Sequence, residues 1–161
     1  MISIKQMAKD ANLYNNFVML HGNKYNVTGY APLYDRMNRW TGLKIKGPSG
    51  TPYASHWFKF TFVYSPGEYG RLTPSMFVNT RIIHPNINPN SGMVCIESEG
   101  HGYQSPVAQL LALYEMLHQP NWDGPIDNRV TTLGRKEYDR LRHRSPTDAD
   151  KIDRLEKHLG G

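Results

Sequence analysis

The stretch His84 to Pro106, HPNINPNSGMVCIESEGHGYQSP, carries the only cysteine of the chain, Cys95. Nine residues before it stands Asn86, the last residue of a His84-Pro85-Asn86 triplet. The proline restricts the backbone there and leaves the Asn carboxamide free to donate hydrogen bonds. A thiol can hold an acyl group as a thioester, and an amide donor can stabilise the oxyanion that forms when the thioester is attacked. Both parts of an acyl-transfer site therefore sit in one loop. A lone cysteine is more often a small core side chain than a nucleophile, and what tells against that here is the sequence on either side.

Downstream, Ser105 is placed to cap a helix and Pro106 to occupy its first position. Val107, Leu110, Leu111, Tyr114 and Leu117 form its core-facing stripe, and Pro120 stops it. Upstream, three strands are predicted in meander order: one around Leu43 and Ile45 ahead of the Gly47-Pro48 turn, one over Trp57 to Tyr64, and one over Met76 to Ile83. Turns of this length imply antiparallel pairing. Ile4, Met7, Ala8 and Ala11 make the stripe of a short N-terminal helix whose outer face carries Lys5 and Lys9. Between Asn12 and Asn38 the residues Asn15, Asn16, Gly22, Asn23, Gly29 and Pro32 predict turns, with a further strand at Lys24 to Thr28. Past the loop over Asn121 to Asn128, Val130, Leu133, Tyr138 and Leu141 predict another helix. Thr147 to Asp150 reads as a capping box before a last one through Ile152, Leu155 and Leu159. Strands first and helices after make the fold class α+β, a four-stranded antiparallel meander flanked by an N-terminal helix, a central helix and C-terminal helices.

The length, 161 residues, is that of one domain, and residues 1–161 read as a single unit without repeats or low-complexity tracts. No apolar run approaches the ~18 residues of a membrane span. The chain reads as soluble, and an unpaired cysteine without a signal peptide suits the cytoplasm or nucleus. The net charge of +5 comes from 19 Lys and Arg that are dispersed among 14 acidic residues, which favours acidic protein partners over nucleic acid. The seven His are scattered, with no HExxH or CxxC spacing, so neither a metal nor a cofactor is expected.

Trp40, Gly47-Pro48, Thr51-Pro52-Tyr53, Tyr64-Ser65-Pro66-Gly67-Glu68-Tyr69, Thr80 to Asn86, Cys95, Ser105-Pro106, Pro120-Asn121 and Pro125 follow one another in an order and spacing that resembles the ubiquitin-conjugating enzymes. The resemblance runs from about Trp40 to Arg144. It implies that Cys95 carries ubiquitin or a ubiquitin-like protein as a thioester, received from an activating enzyme and passed to a substrate lysine or a ubiquitin ligase. It makes Asn86 the oxyanion donor, His84 a structural hydrogen-bonding residue of the catalytic triplet, and Glu97 the counterpart of a gate residue that is commonly Asp. It also assigns partner contacts to Lys5 and Lys9 on the first helix, to the loop of Arg71, and to Ser105-Pro106.

Several positions depart from the family pattern. The loop from Asn86 to Cys95 is one residue longer than usual, and Asn86 reaches the thioester only if Asn88 to Gly92 absorbs the excess in its turn. The segment after the cysteine is longer as well, Tyr103 stands where Trp is usual, and Gly100, His101 and Gly102 make it flexible. Arg71 replaces a Phe that enters a ligase groove. Gly124 replaces an Asp that helps to deprotonate the incoming lysine, and the neighbouring Asp123 serves if the loop shifts by one. Two other readings stand beside this one. A cysteine protease needs a His within reach of the thiol, for which His84 and His101 are the candidates. An inert ubiquitin-binding scaffold of the same fold is the alternative to an enzyme, although such members typically lack the cysteine.

Overall fold

Met7, Ala11, Tyr14 and Val18 are buried in line along one face of the N-terminal segment, and they carry a helix far longer than the first few residues predict. In the computed structural model, which describes residues 4–32, 38–64, 73–95 and 102–121, helix α1 runs Ile4–Tyr25. The turns predicted at Asn15, Asn16, Gly22 and Asn23 are therefore not there. Tertiary packing of the Tyr14 and Val18 stripe outweighs the poor helix propensity of Asn and Gly. Asn15 also pins the chain that returns after the helix, because its Oδ1 accepts the Ala31 N–H at 2.6 Å and its Nδ2 donates to the Ala31 carbonyl at 3.1 Å. The helix stops at Asn26, whose φ of 55° is a left-handed conformation that Asn tolerates well.

Strand β1 (Val27–Thr28) follows, shorter than predicted because Lys24 and Tyr25 belong to α1. Strands β2 (Arg39–Lys46), β3 (Trp57–Val63) and β4 (Ser75–Val78) complete a four-stranded sheet in the order β1-β2-β3-β4. Every neighbouring pair is antiparallel, the predicted meander. The register of β2 against β3 shifts between Trp40 and Leu43, where Gly42 takes a φ of 78°. This bulge lets Trp40 and Leu43, three positions apart, both face the core, which strict alternation forbids. It also explains why alternation picks out Leu43 and Ile45 but not the Trp40 end of the strand. Strand β4 ends at Val78, short of the predicted Ile83. Beyond it one backbone bond, Asn79 N–H to the Lys59 carbonyl at 2.8 Å, is joined by side-chain ones: Thr80 Oγ1 accepts the Lys59 N–H at 2.9 Å, and Thr61 donates to Asn79 Oδ1 at 2.6 Å.

Helix α2 (Pro106–His118) is capped as predicted, with Ser105 Oγ accepting the Ala108 N–H at 3.2 Å. It buries Leu110, Leu113 and Leu117, while Val107 and Tyr114 lie at the margin of the core. Leu113, absent from the predicted stripe, is fully inside. Helices α1 and α2 meet through the Tyr25 and Tyr114 rings, edge to face at 4.9 Å, and share one core with the inward side of the sheet. Each large apolar side chain there contributes about 1.5–3 kcal/mol by leaving water. The predicted helices beyond Val130 and the capping box at Thr147 lie outside the described residues.

Tyr14 packs edge-on against Trp40 and Phe62, and its hydroxyl is buried without a hydrogen-bond partner among the described residues. Burial also pushes its pKa far above the usual tyrosine value. Because a buried unpaired hydroxyl costs stability, Tyr14→Phe is expected to leave the protein as stable or to raise stability by about 1 kcal/mol. A urea titration checks this, and a clear loss of stability would mean that the hydroxyl is paired.

Candidate active site

Cys95 is exposed, not a core residue. The backbone puts it there. Asn88 Oδ1 accepts the N–H groups of Asn90 and Ser91 at 2.8 and 3.0 Å, an Asx-type turn, and the Gly92 N–H closes on the Asn88 carbonyl at 2.9 Å. The chain then returns beside itself, with Asn88 N–H to the Met93 carbonyl and Cys95 N–H to the Asn86 carbonyl, both at 2.9 Å. On its other side the returning segment pairs with β4, with Val78 N–H to the Gly92 carbonyl at 2.8 Å and Val94 N–H to the Met76 carbonyl at 2.9 Å. Gly92 has a φ of 78°, and a Cβ there would come within 2.1 Å of the Val78 carbonyl oxygen, so glycine alone fits this approach. The turn from Asn88 to Gly92 thus closes on itself and leaves Asn86 and Cys95 directly paired through the backbone.

Asn86 is buried and its carboxamide is committed to a backbone clamp. Oδ1 accepts the Asn121 N–H at 2.8 Å and Nδ2 donates to the Asn121 carbonyl at 2.7 Å. This corrects the expectation of a free carboxamide. One N–H of Nδ2 remains beyond that clamp. The clamp fastens the chain that leaves α2 to the triplet that precedes the thiol, and Asn121, marked in the sequence only as part of the Pro120-Asn121 pair, supplies its other half.

His84 is fully buried with both ring nitrogens engaged. Nδ1 accepts the Asn86 N–H at 3.1 Å, so the proton lies on Nε2, which donates to the Met116 carbonyl at 2.7 Å. The Tyr53 ring stacks near it at 5.8 Å and donates its hydroxyl to the Ile83 carbonyl at 2.5 Å. Neither nitrogen is left to take a proton from the thiol. These bonds make His84 a structural hydrogen-bonding residue and leave it no part as the base of a protease; His101 lies outside the described residues. Burial lowers the His84 pKa from 6.5 to about 4, against the raising effect of the Met116 carbonyl.

The sign of the resulting pH dependence is fixed. Between those two values the unfolded chain binds the proton and the folded one does not, so stability is full above about pH 6.5 and is lost as the pH falls toward 4, by about 3 kcal/mol in all. Urea midpoints taken from pH 7 to pH 4 check it. His84→Gln should lower stability at pH 7 and flatten the curve; an equally steep fall in the variant would assign the effect to other groups.

Of the other predicted residues, Lys5 and Lys9 are exposed on α1. Pro106 is buried at the start of α2 and the Ser105 hydroxyl is used by the helix cap. Glu97, Arg71, Asp123 and Gly124 lie outside the described residues. Sequence reasoning missed Asp10, a buried carboxylate on α1 that receives hydrogen bonds from Gln6, Tyr64 and Tyr103. A signal was present: Asp10 falls on the stripe of Met7 and Ala11, where an acidic side chain needs a reason.

Residues 9–147 match the model of the family described as ubiquitin-conjugating enzyme. The chain belongs to the ubiquitin-conjugating enzyme family. Over 96 residues it is 30% identical to ubiquitin-conjugating enzyme E2-21 kDa of Saccharomyces cerevisiae, covering 56% of this chain and 51% of that protein. To ubiquitin-conjugating enzyme E2-24 kDa of the same yeast it is 28% identical over 121 residues, 72% of this chain and 55% of that one. The chain thus spans about half the length of these curated relatives. A ubiquitin-conjugating enzyme E2 domain of Toxoplasma gondii has a similar fold, with a TM-score of 0.65 at 23% identity over 93% of this chain and 99% of that one. The meander, its N-terminal helix and α2 are the ubiquitin-conjugating fold.

Proposed function

We propose that Cys95 is the acyl carrier of an active ubiquitin-conjugating enzyme. Its thiolate attacks the C-terminal carbonyl carbon of ubiquitin, or of a relative, held as a thioester on an activating enzyme. Collapse of the tetrahedral intermediate expels the activating enzyme's thiolate and leaves the acyl group on Cys95. In the second step a deprotonated lysine amine, or the cysteine of a ligase, attacks the same carbon and Cys95 departs as thiolate. An amine needs a proton acceptor, for which Asp123 and Glu97 are the candidates, and Arg71 with the exposed face of α1 is the candidate partner surface. No metal or cofactor takes part in this scheme.

The observation that carries the reading is an exposed Cys95 whose backbone N–H is fixed to the carbonyl of the triplet Asn86. An inert scaffold has no need of an exposed thiol at that place, while family membership supports the fold that both readings share. Incubation with an activating enzyme, ATP and ubiquitin, followed by gels with and without reductant, tests it. A reductant-sensitive adduct is expected. If no adduct forms with ubiquitin or its relatives, each offered with its own activating enzyme, the chain is a scaffold.

A further inference from the structure

Asp10 is 2% exposed and has no cationic partner among the described residues. Removing a carboxylate from water costs several kcal/mol unless hydrogen bonds replace the lost solvation. Here Gln6 Nε2 donates to Oδ1 at 2.9 Å, the Tyr64 hydroxyl donates to Oδ2 at 2.6 Å, and the Tyr103 hydroxyl donates to the same Oδ2. Gln6 belongs to α1 itself and Tyr64 directly follows β3, so two of these bonds lie within the framework of helix and sheet. Tyr103 comes from elsewhere: it lies on the chain between the thiol and α2, eight residues past Cys95.

The two tyrosines are held differently. Tyr64 is 2% exposed and packs on Trp40 with ring centres 5.5 Å apart, so its ring stays in place without the hydroxyl bond. Tyr103 is 40% exposed, and packing alone does not fix it. The adjacent tethers, Gln104 N–H to Thr73 Oγ1 at 3.3 Å and Gln109 Nε2 to the Gln104 carbonyl at 3.2 Å, are neutral and long, whereas a bond to a carboxylate is charge-assisted and about twice as strong. We infer that Asp10 is a positioning residue for transfer at Cys95, holding the segment Gly102 to Gln104 against α1 through the Tyr103 hydroxyl. The inference rests on the proposed carrier function. Cys95 is fixed from the upstream side by Asn86, and Asp10 fixes the chain again at Tyr103, ahead of α2.

Two variants, each removing one hydroxyl from the same carboxylate oxygen, separate positioning from plain stabilisation. Tyr103→Phe is expected to load ubiquitin as the natural protein does but to discharge it to free lysine roughly tenfold more slowly, the scale of one charge-assisted hydrogen bond. Tyr64→Phe should lower Tm comparably and leave discharge unchanged. Asp10→Asn should slow discharge like Tyr103→Phe, and the double variant should be no slower than either, the non-additivity of residues acting as a pair. In the unloaded proteins, amide exchange at Gly102 to Gln104 should quicken in Tyr103→Phe and not in Tyr64→Phe. Unchanged discharge in Tyr103→Phe, or equal slowing in both tyrosine variants, overturns the proposal. A natural protein that never loads overturns the carrier reading instead, and the exchange comparison then decides by itself whether Asp10 holds this segment.

Discussion

Cys95→Ser should turn rapid, reductant-sensitive loading into slow formation of an adduct that survives reductant. A hydroxyl gives up its proton far less readily than a thiol and is the weaker nucleophile, so attack on the activated carbonyl should slow by on the order of 10³-fold, about 4 kcal/mol in the barrier. The ester that forms discharges slowly for the matching reason, since an alkoxide is a poorer leaving group than a thiolate. Cys95→Ala should give no adduct at all. Because the side chain is exposed and its place is set by backbone hydrogen bonds, both variants should keep the Tm of the natural protein. Time courses of loading, with and without reductant, read the result. Equal loading in Cys95→Ala would mean that the acyl group sits on another residue.

What the sequence made legible follows from where side chains alone set the structure. Alternation in Trp57 to Tyr64 and the Ser105-Pro106 cap are local signals, and β3 and α2 appear where they place them. The long reach of α1 was hidden because Asn15, Asn16 and Gly22 signal turns locally. Only the tertiary partners, Ala31 for Asn15 and the core for Tyr14 and Val18, overrule them. The Gly42 bulge hid Trp40 in the same way, by breaking the period on which a strand is recognised.

In the site, the triplet and the cysteine were legible as residue types in a fixed order. Their connections were not, because these run through the backbone. His84 is occupied by the Asn86 N–H and the Met116 carbonyl, and Asn86 by the two main-chain groups of Asn121, none of which leaves a mark on side-chain identity. Asp10 and Tyr103 are 93 positions apart. No pattern in either neighbourhood points to the other.

Asn86→Ala is the change that divides the two parts now open to this side chain. As a clamp, the carboxamide satisfies the Asn121 N–H and carbonyl; its loss should cost about 1–2 kcal/mol, since both groups are half-buried and regain some water. As an oxyanion donor, it would use the N–H of Nδ2 that the clamp leaves over, and only in the step where the thioester carbonyl is attacked. Removing such a donor usually costs about 10²–10³ in rate. The expected outcome is therefore a modest fall in Tm, loading preserved, and discharge to lysine slowed by roughly 10²-fold. Single-turnover discharge from a preloaded enzyme, well below the lowered Tm, measures the second step without the first. If loading and discharge fall together by the same factor, the carboxamide acts only through its hold on Asn121. In that case Asn121→Pro, which deletes the N–H that Oδ1 accepts while leaving Asn86 in place, should reproduce the loss. If discharge alone falls and Asn121→Pro leaves it unchanged, the N–H beyond the clamp is the one that meets the oxyanion.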